Sequence, residues 1–353
     1  MNMKTILAII TSILLLVSCR KDSQFVDNIP TPIQTEDWKM LGDNIILLSD
    51  RNILSSNATN TKLFIQTPYS IYVLDSNLKI SNSCGNSGPK FDNGFNKIGT
   101  GNNFSLYFDA PTPTYLYVTD NNDFSNNYYH SILLKDSLNN SYTRCRFSNV
   151  DENNNFCLGY YTGINNGKDT NTFSIKKYHV SRLPLNYVVC SETFNIPISK
   201  QVNFSQDHAS LYLINDIIYY SYNGIGFRFE NPNKIDTTIF DLYQMIKINN
   251  TIYATSIWGN SLYSSTDNGI SWQKVANNGA FSLSKDLINI DNKLFFYRYN
   301  WIDYFDLSNN TIKQINIQQI HAQIKTVTQF KDNVFVGTDV GVYYKSVKHV
   351  LAD

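Results

Sequence analysis

Tyr263–Val275 reads YSSTDNGISWQKV. Its centre, Ser265-Thr266-Asp267-Asn268-Gly269-Ile270-Ser271-Trp272, holds Ser, Asp, Gly and Trp in the spacing S-x-D-x-G-x-x-W. That spacing is turn chemistry. An Asp carboxylate folds back onto backbone N–H groups of its own turn, and Gly supplies the positive φ that a tight hairpin needs. Trp272 opens the strand that follows and packs across the one before. Ser265, Asp267, Gly269 and Trp272 are therefore expected to hold a hairpin, with no catalytic part.

Outward from this hairpin the chain is a series of short β-type runs separated by Asn, Asp, Gly and Ser clusters. No stretch from about residue 41 onward keeps a 3.6-residue apolar period over ten or more residues, and the pattern is all-β. A polar turn followed by an apolar run recurs at Asn60–Phe64, Thr114–Tyr117, Asn154–Leu158, Asn215–Tyr219, Asn250–Tyr253, Asp291–Phe295 and Asp332–Phe335. The last three lie about 40 residues apart, the length of one four-stranded propeller blade. A strand, an Asp/Asn turn and a strand recur at Tyr72–Ile80 and Tyr304–Ile312, and Tyr220–Phe227 has the look of the motif with one residue lost.

The intact motif, set on this repeat, resembles the Asp-box (BNR) repeat of sialidase-like β-propellers. In that family the box closes a hairpin between the two outer strands of a blade. The resemblance implies an all-β propeller over residues 41–353. Seven anchors predict seven four-stranded blades, and the long inserts at Ser81–Gly101 and Asp120–Tyr129 leave six or eight open. One blade cannot bury both of its faces, whereas neighbours stacked around an axis can. Closure is expected from a strand near Ile45–Leu48 laid beside the last blade, Val334–Val350. Two smaller β-sandwich domains are the competing architecture.

The N-terminus carries an address. Met1-Asn2-Met3-Lys4 precedes an apolar run from Ile6 to Val17, too short to cross a bilayer as a helix and of the right length for an export signal. Leu16-Val17-Ser18-Cys19 resembles a bacterial lipobox, which implies a signal peptide at 1–18 and a lipidated Cys19 at the mature N-terminus. Arg20-Lys21-Asp22-Ser23 resembles the surface-export stretch of Bacteroidota lipoproteins, with one acidic residue where that pattern has more. Residues 19–40, with Pro30 and Pro32, read as a flexible tether. The expected location is the outer membrane, on its surface or its periplasmic face.

Lys plus Arg total 29 and Asp plus Glu total 29, so the net charge is zero. A nucleic-acid partner needs a basic surplus or stripe, and there is none. Four cysteines remain after Cys19: Cys84, Cys145, Cys157 and Cys190. An exported chain can oxidise them, and Cys145 and Cys157 are close enough in sequence to bridge a hairpin; buried free thiols are the alternative. No Cys or His spacing suggests a metal site, and no cofactor fingerprint is present.

Catalysis in the sialidase-like family would need three arginines converging on a carboxylate, a Tyr nucleophile with a Glu partner, and an acid/base Asp. Arg182-Leu183-Pro184 resembles one family motif but follows about three blades instead of preceding them. Glutamate is confined to Glu36, Glu152, Glu192 and Glu230, and most Asp residues sit in turns. The expectation is a non-catalytic propeller that binds a glycan or a protein at the envelope, with a divergent sialidase-like glycoside hydrolase as the alternative. Arg182, Trp258, Tyr299 and Trp301 are the candidate ligand contacts. For the aromatic ones, burial in the core is the competing role.

Overall fold

A computed structural model of the chain describes residues 36–42, 51–85, 99–108, 115–121, 129–133, 143–161, 172–181, 187–197, 210–222, 225–238, 242–256, 260–277, 281 and 286–352. These residues form seven four-stranded antiparallel sheets. Blade 1 is β2 (Ser55–Ala58), β3 (Leu63–Gln66), β4 (Ser70–Leu74) and β5 (Ile80–Gly85). Blade 2 is β6 (Gly99–Thr100), β7 (Phe104–Phe108), β8 (Tyr115–Asp120) and β9 (Tyr129–Leu133). Blade 3 is β10 (Thr143–Phe147), β11 (Asn155–Tyr161), β12 (Thr172–Ser181) and β13 (Tyr187–Pro197). Blade 4 is β14 (Ser210–Ile214), β15 (Ile217–Tyr222), β16 (Ile225–Asn231) and β17 (Lys234–Thr237).

Blade 5 is β18 (Gln244–Ile248), β19 (Thr251–Thr255), β20 (Ser261–Ser265) and β21 (Gln273–Asn277). Blade 6 is β22 (Asp286–Ile290), β23 (Lys293–Arg298), β24 (Trp301–Asp306) and β25 (Thr311–Gln314). Blade 7 takes β26 (Ile324–Phe330), β27 (Asn333–Thr338) and β28 (Val342–Ser346) from the end of the chain and β1 (Lys39–Met40) from its beginning. First strands of successive blades touch, as β2 does β26 and β6, and β22 does β18 and β26. They line the axis of a seven-bladed β-propeller.

Packing closes the ring at seven. Apolar clusters fill all seven seams between adjacent blades, including the one that closes the ring. In that closing seam Phe330, Phe335 and Val342 of blade 7 meet Ile53, Leu63, Ile65, Tyr72 and Leu74 around blade 1. Second strands are buried on both sides, so they read as unbroken apolar runs such as Leu63-Phe64-Ile65 and Val334-Phe335-Val336, without alternation. The turns between first and second strands put Asn and Asp at positive φ, among them Asn215, Asp216, Asn249, Asp291 and Asn292. That is the backbone a two-residue hairpin requires.

Four expectations need correction. The closing strand is Lys39–Met40, paired with Tyr344 and Tyr343, whereas Ile45–Leu48 lies outside the described residues. Residues 38–40, read above as part of the tether, pack with the propeller: Trp38 is buried, and its indole N–H donates to the Asn316 carbonyl at 2.9 Å. Glu36 bonds Lys39 at 2.7 Å and lies 3.0 Å from His349, and its carboxyl is held at about 2, chiefly by the Lys39 bond. In blade 2 the first turn is Gly101-Asn102-Asn103, so the Thr114 anchor is one strand late. Tyr220–Phe227 spans the second and third strands of blade 4, not the third and fourth where Ser265–Trp272 lies, so it is not a copy of that motif. The chain then adds one helical turn, α1 (Val347–Val350), after the last blade strand.

Candidate functional site

Antiparallel blades put two kinds of connection on opposite faces. The turns between first and second strands, and between third and fourth, lie on one face, called here the hairpin face. The turns between second and third strands, and the crossings to the next blade, lie on the other, the crossover face.

On the hairpin face, turn carboxylates are consumed by their own turns, whereas Asn289 Oδ1, buried near the blade 6 turn, has no hydrogen bond. Ser265 Oγ donates to Asp267 Oδ1 at 2.8 Å and accepts the Gly269 N–H at 2.8 Å. Both Asp267 oxygens accept the Ser271 N–H, at 2.9 and 3.1 Å, and Oδ2 also accepts the Ser271 hydroxyl. Those bonds from Ser271 hold the Asp267 carboxyl at about 2. Gly269 sits at φ +74°, where an added Cβ would lie 2.7 Å from the Tyr219 ring. Trp272 donates its indole N–H to the Gly269 carbonyl at 3.1 Å and packs on the cluster between blades 4 and 5.

The turn also ties blade 5 to blade 4. The Asn268 carbonyl accepts the Tyr219 hydroxyl at 2.7 Å and Arg228 Nε at 2.8 Å. Arg228 is buried and pairs with Glu230 at 3.2 Å and Asp236 at 3.1 Å, and burial pushes the Tyr219 phenol up to about 12. The same economy recurs around the face, where Asp75 accepts the Asn77 and Lys79 N–H groups and Asp151 those of Asn153 and Asn155. Asp306 accepts the Ser308 N–H and hydroxyl, which lower its pKa.

The crossover face is different. Among the described residues, the three exposed aromatics, Tyr69, Tyr299 and Trp301, all lie there, joined by exposed Met40, Ile225 and Val340. Gln66, Ser221 and Thr255 lie at the crossover ends of the second strands of blades 1, 4 and 5 in equivalent register, opposite Ser55, Ser210 and Gln244. Each is fully buried, and each keeps a polar atom without a hydrogen bond: Gln66 Nε2, Ser221 Oγ and Thr255 Oγ1. Buried polar atoms are rarely left so, and each costs about 1–3 kcal/mol. Blade 6 fills the same position with Tyr297, whose hydroxyl donates to the Lys325 carbonyl at 3.1 Å.

Blade 6 carries the densest group. The Arg298 guanidinium lies 5.1 Å from the Trp301 ring centre, and its Nη2 is 3.7 Å from Asp303 Oδ2, beyond hydrogen-bond range. Arg298 Nε is buried without a partner. Asp303 is buried, and desolvation raises its pKa, with Arg298 opposing.

Of the candidate contacts, Tyr299 (53% exposed) and Trp301 (45%) come together on one turn and are surface residues, not core. Arg182, Trp258 and Cys19, the expected lipidation site, lie outside the described residues. Arg298 and Asp303 were missed by sequence reasoning. Their one sequence signal is a pair of opposite charges flanking an aromatic turn, Arg298-Tyr299-Asn300-Trp301-Ile302-Asp303. Cys157 is buried and free, its thiol pushed well up by burial, so it forms no bridge with Cys145. Cys190 is free and exposed, and the side chains of Cys84 and Cys145 are outside the described set. No group of His, Cys, Asp and Glu able to hold a metal occurs among the described residues.

The architecture places the chain among the β-propellers, and solved structures agree. It is similar to virginiamycin B lyase from Staphylococcus aureus, with a TM-score of 0.56 and 12% identity over 88% of this chain and 98% of that one. It is also similar to the extracellular domain of a putative one-component system from B. thetaiotaomicron, with a TM-score of 0.53 and 13% identity, covering 88% of this chain and 40% of that one. A chain of the mitotic checkpoint complex matches with a TM-score of 0.55 at 10% identity, over 89% of this chain and 95% of that one. At these identities the likeness is one of fold alone. The sequence matches no family model and no curated protein.

Proposed function

We propose that this propeller is a lipid-anchored binding module of the outer envelope that holds a glycan or protein ligand on its crossover face and does not turn it over. The supporting observation is the asymmetry of the faces. Among the described residues the exposed aromatics all lie on the crossover face, as do four of the five buried polar atoms without a hydrogen bond, Asn289 Oδ1 being the fifth, while the hairpin-face carboxylates described above are tied into their own turns. Large exposed apolar groups grouped on one face mark interaction surfaces. The anchor rests on the Leu16–Cys19 tetrad, and the assignment of Ser265–Trp272 as an Asp-box of the sialidase-like superfamily rests on its spacing together with its turn geometry.

The competing reading, a divergent sialidase-like hydrolase, draws on Arg182-Leu183-Pro184. Arg228, one of few arginines open to a carboxylate-binding set, is buried and already engaged by Asn268, Glu230 and Asp236. The test is to incubate the purified mature protein with sialosides and solubilised envelope material, following capture by pull-down and products by mass. Capture without product, lost in a Tyr69→Ser, Tyr299→Ser, Trp301→Ser variant, is the expected result. Sugar release abolished by Arg182→Ala in a folded protein would overturn it.

A further inference from the structure

The seam between blades 5 and 6 ends at the crossover face in four side chains, Thr255, Arg298, Asp303 and Trp301. Phe296 and Phe305 pack in the apolar cluster of that seam, with Tyr253 against it. Side chains alternate along a strand, so Thr255, Arg298 and Asp303, each two residues further toward the crossover face, project on the same side. Phe296 pairs with Asp303, and Arg298 with Trp301, across β23 and β24, with no bulge between them. The apolar seam therefore ends in a hydroxyl, a guanidinium, a carboxylate and an indole.

Their bonding is incomplete. Thr255 Oγ1 and Arg298 Nε have no hydrogen-bond partner, and Asp303 meets Arg298 only at 3.7 Å. Two opposite charges this close, at 16% and 8% side-chain exposure, leave the seam mouth electrically neutral. The indole of Trp301 offers an exposed apolar ring beside them. An N–H donor and a carboxylate acceptor a few ångströms apart next to a flat ring match adjacent hydroxyls and the C–H face of a pyranose.

We infer that the mouth of the blade 5–blade 6 seam is a subsite for one uncharged sugar residue, stacked on Trp301 and bonded through adjacent hydroxyls to Arg298 and Asp303. This deepens the binding reading above and rests on it. An acidic sugar is disfavoured, because its carboxylate would compete with Asp303 for Arg298 and place two like charges together.

The experiment titrates the mature protein, by calorimetry and on an array, with neutral glucans, mannans and galactans and with sialylated oligosaccharides. The expected result is retention of a neutral glycan with no preference for sialylated forms. Affinity should fall about tenfold, the equivalent of 1.4 kcal/mol, in Trp301→Ala, and recover in Trp301→Phe. Asp303→Asn should weaken the neutral glycan and narrow its advantage over the acidic one. A preference for sialylated glycans, or unchanged affinity in both Trp301→Ala and Asp303→Asn, overturns the subsite. Silence toward every sugar, with envelope protein still captured through the crossover face, overturns the subsite and leaves the binding module standing. Loss of both overturns the two together.

Discussion

Two tryptophans and two aspartates separate the faces of this propeller. Trp272, on the hairpin face, is partly buried and donates its N–H to the turn it closes, whereas Trp301, on the crossover face, is 45% exposed. Asp267 is held at about 2 by hydrogen bonds from Ser271, whereas Asp303 is raised by burial and lacks a close partner. The same side chains do opposite things according to which end of the blade they occupy. One end spends its polar groups on holding the ring together. The other leaves four buried polar atoms, on Gln66, Ser221, Thr255 and Arg298, without a bond, at a cost in stability.

Substitutions should break this contrast in a graded way. Trp272→Ala removes an aromatic packed across a seam and should cost about 3 kcal/mol, measured by chemical denaturation. Arg228→Met deletes charged hydrogen bonds that tie blade 5 to blade 4 and should cost about 2–3 kcal/mol. Asp267→Ala should cost about 1–2 kcal/mol through the lost turn bonds. Trp301→Ala should change stability by no more than about 0.5 kcal/mol, as exposed positions do, while weakening ligand binding about tenfold. Equal destabilisation by Trp272→Ala and Trp301→Ala would erase the distinction.

Acidity sharpens it further. A depressed carboxyl stabilises the fold above its unfolded pKa and loses that contribution as pH falls through the folded value. The deficit of Asp267→Asn relative to wild type should therefore shrink as pH drops from near 4 to about 2. Asp303 has the opposite sign, since its raised pKa means that ionisation works against the fold. Asp303→Asn should gain on wild type as pH rises from 3 to 6. Melting curves of both variants and wild type from about pH 2 to 6 check the signs, and parallel trends would contradict the contrast.

The hairpin face was legible in the sequence because its chemistry is local. Ser265, Asp267, Gly269 and Trp272 act within eight residues, and a turn that bonds itself leaves a spacing that can be read. The blade count was legible for the same reason, through Asn- and Asp-rich turns before the second strands, at Asn250, Asp291 and Asp332 about 40 residues apart. The closing strand was not, because Lys39–Met40 pairs with residues about 300 positions away and is too short to show a pattern. Nor was the seam mouth. Thr255 and Arg298 face one seam only when two blades stack, and nothing in either segment records the other. Exposure of Tyr299 and Trp301 follows from the end of the blade they occupy, which depends on strand order.

The division of labour between the faces is tested most directly by hydroxyl-radical footprinting of the mature protein with and without captured envelope ligand, read residue by residue. Tyr69, Tyr299 and Trp301 should lose reactivity on ligand binding, while Ile270 and Leu307 of the hairpin face keep theirs. Protection centred on Ile270 and Leu307, with Tyr299 and Trp301 unchanged, would contradict it.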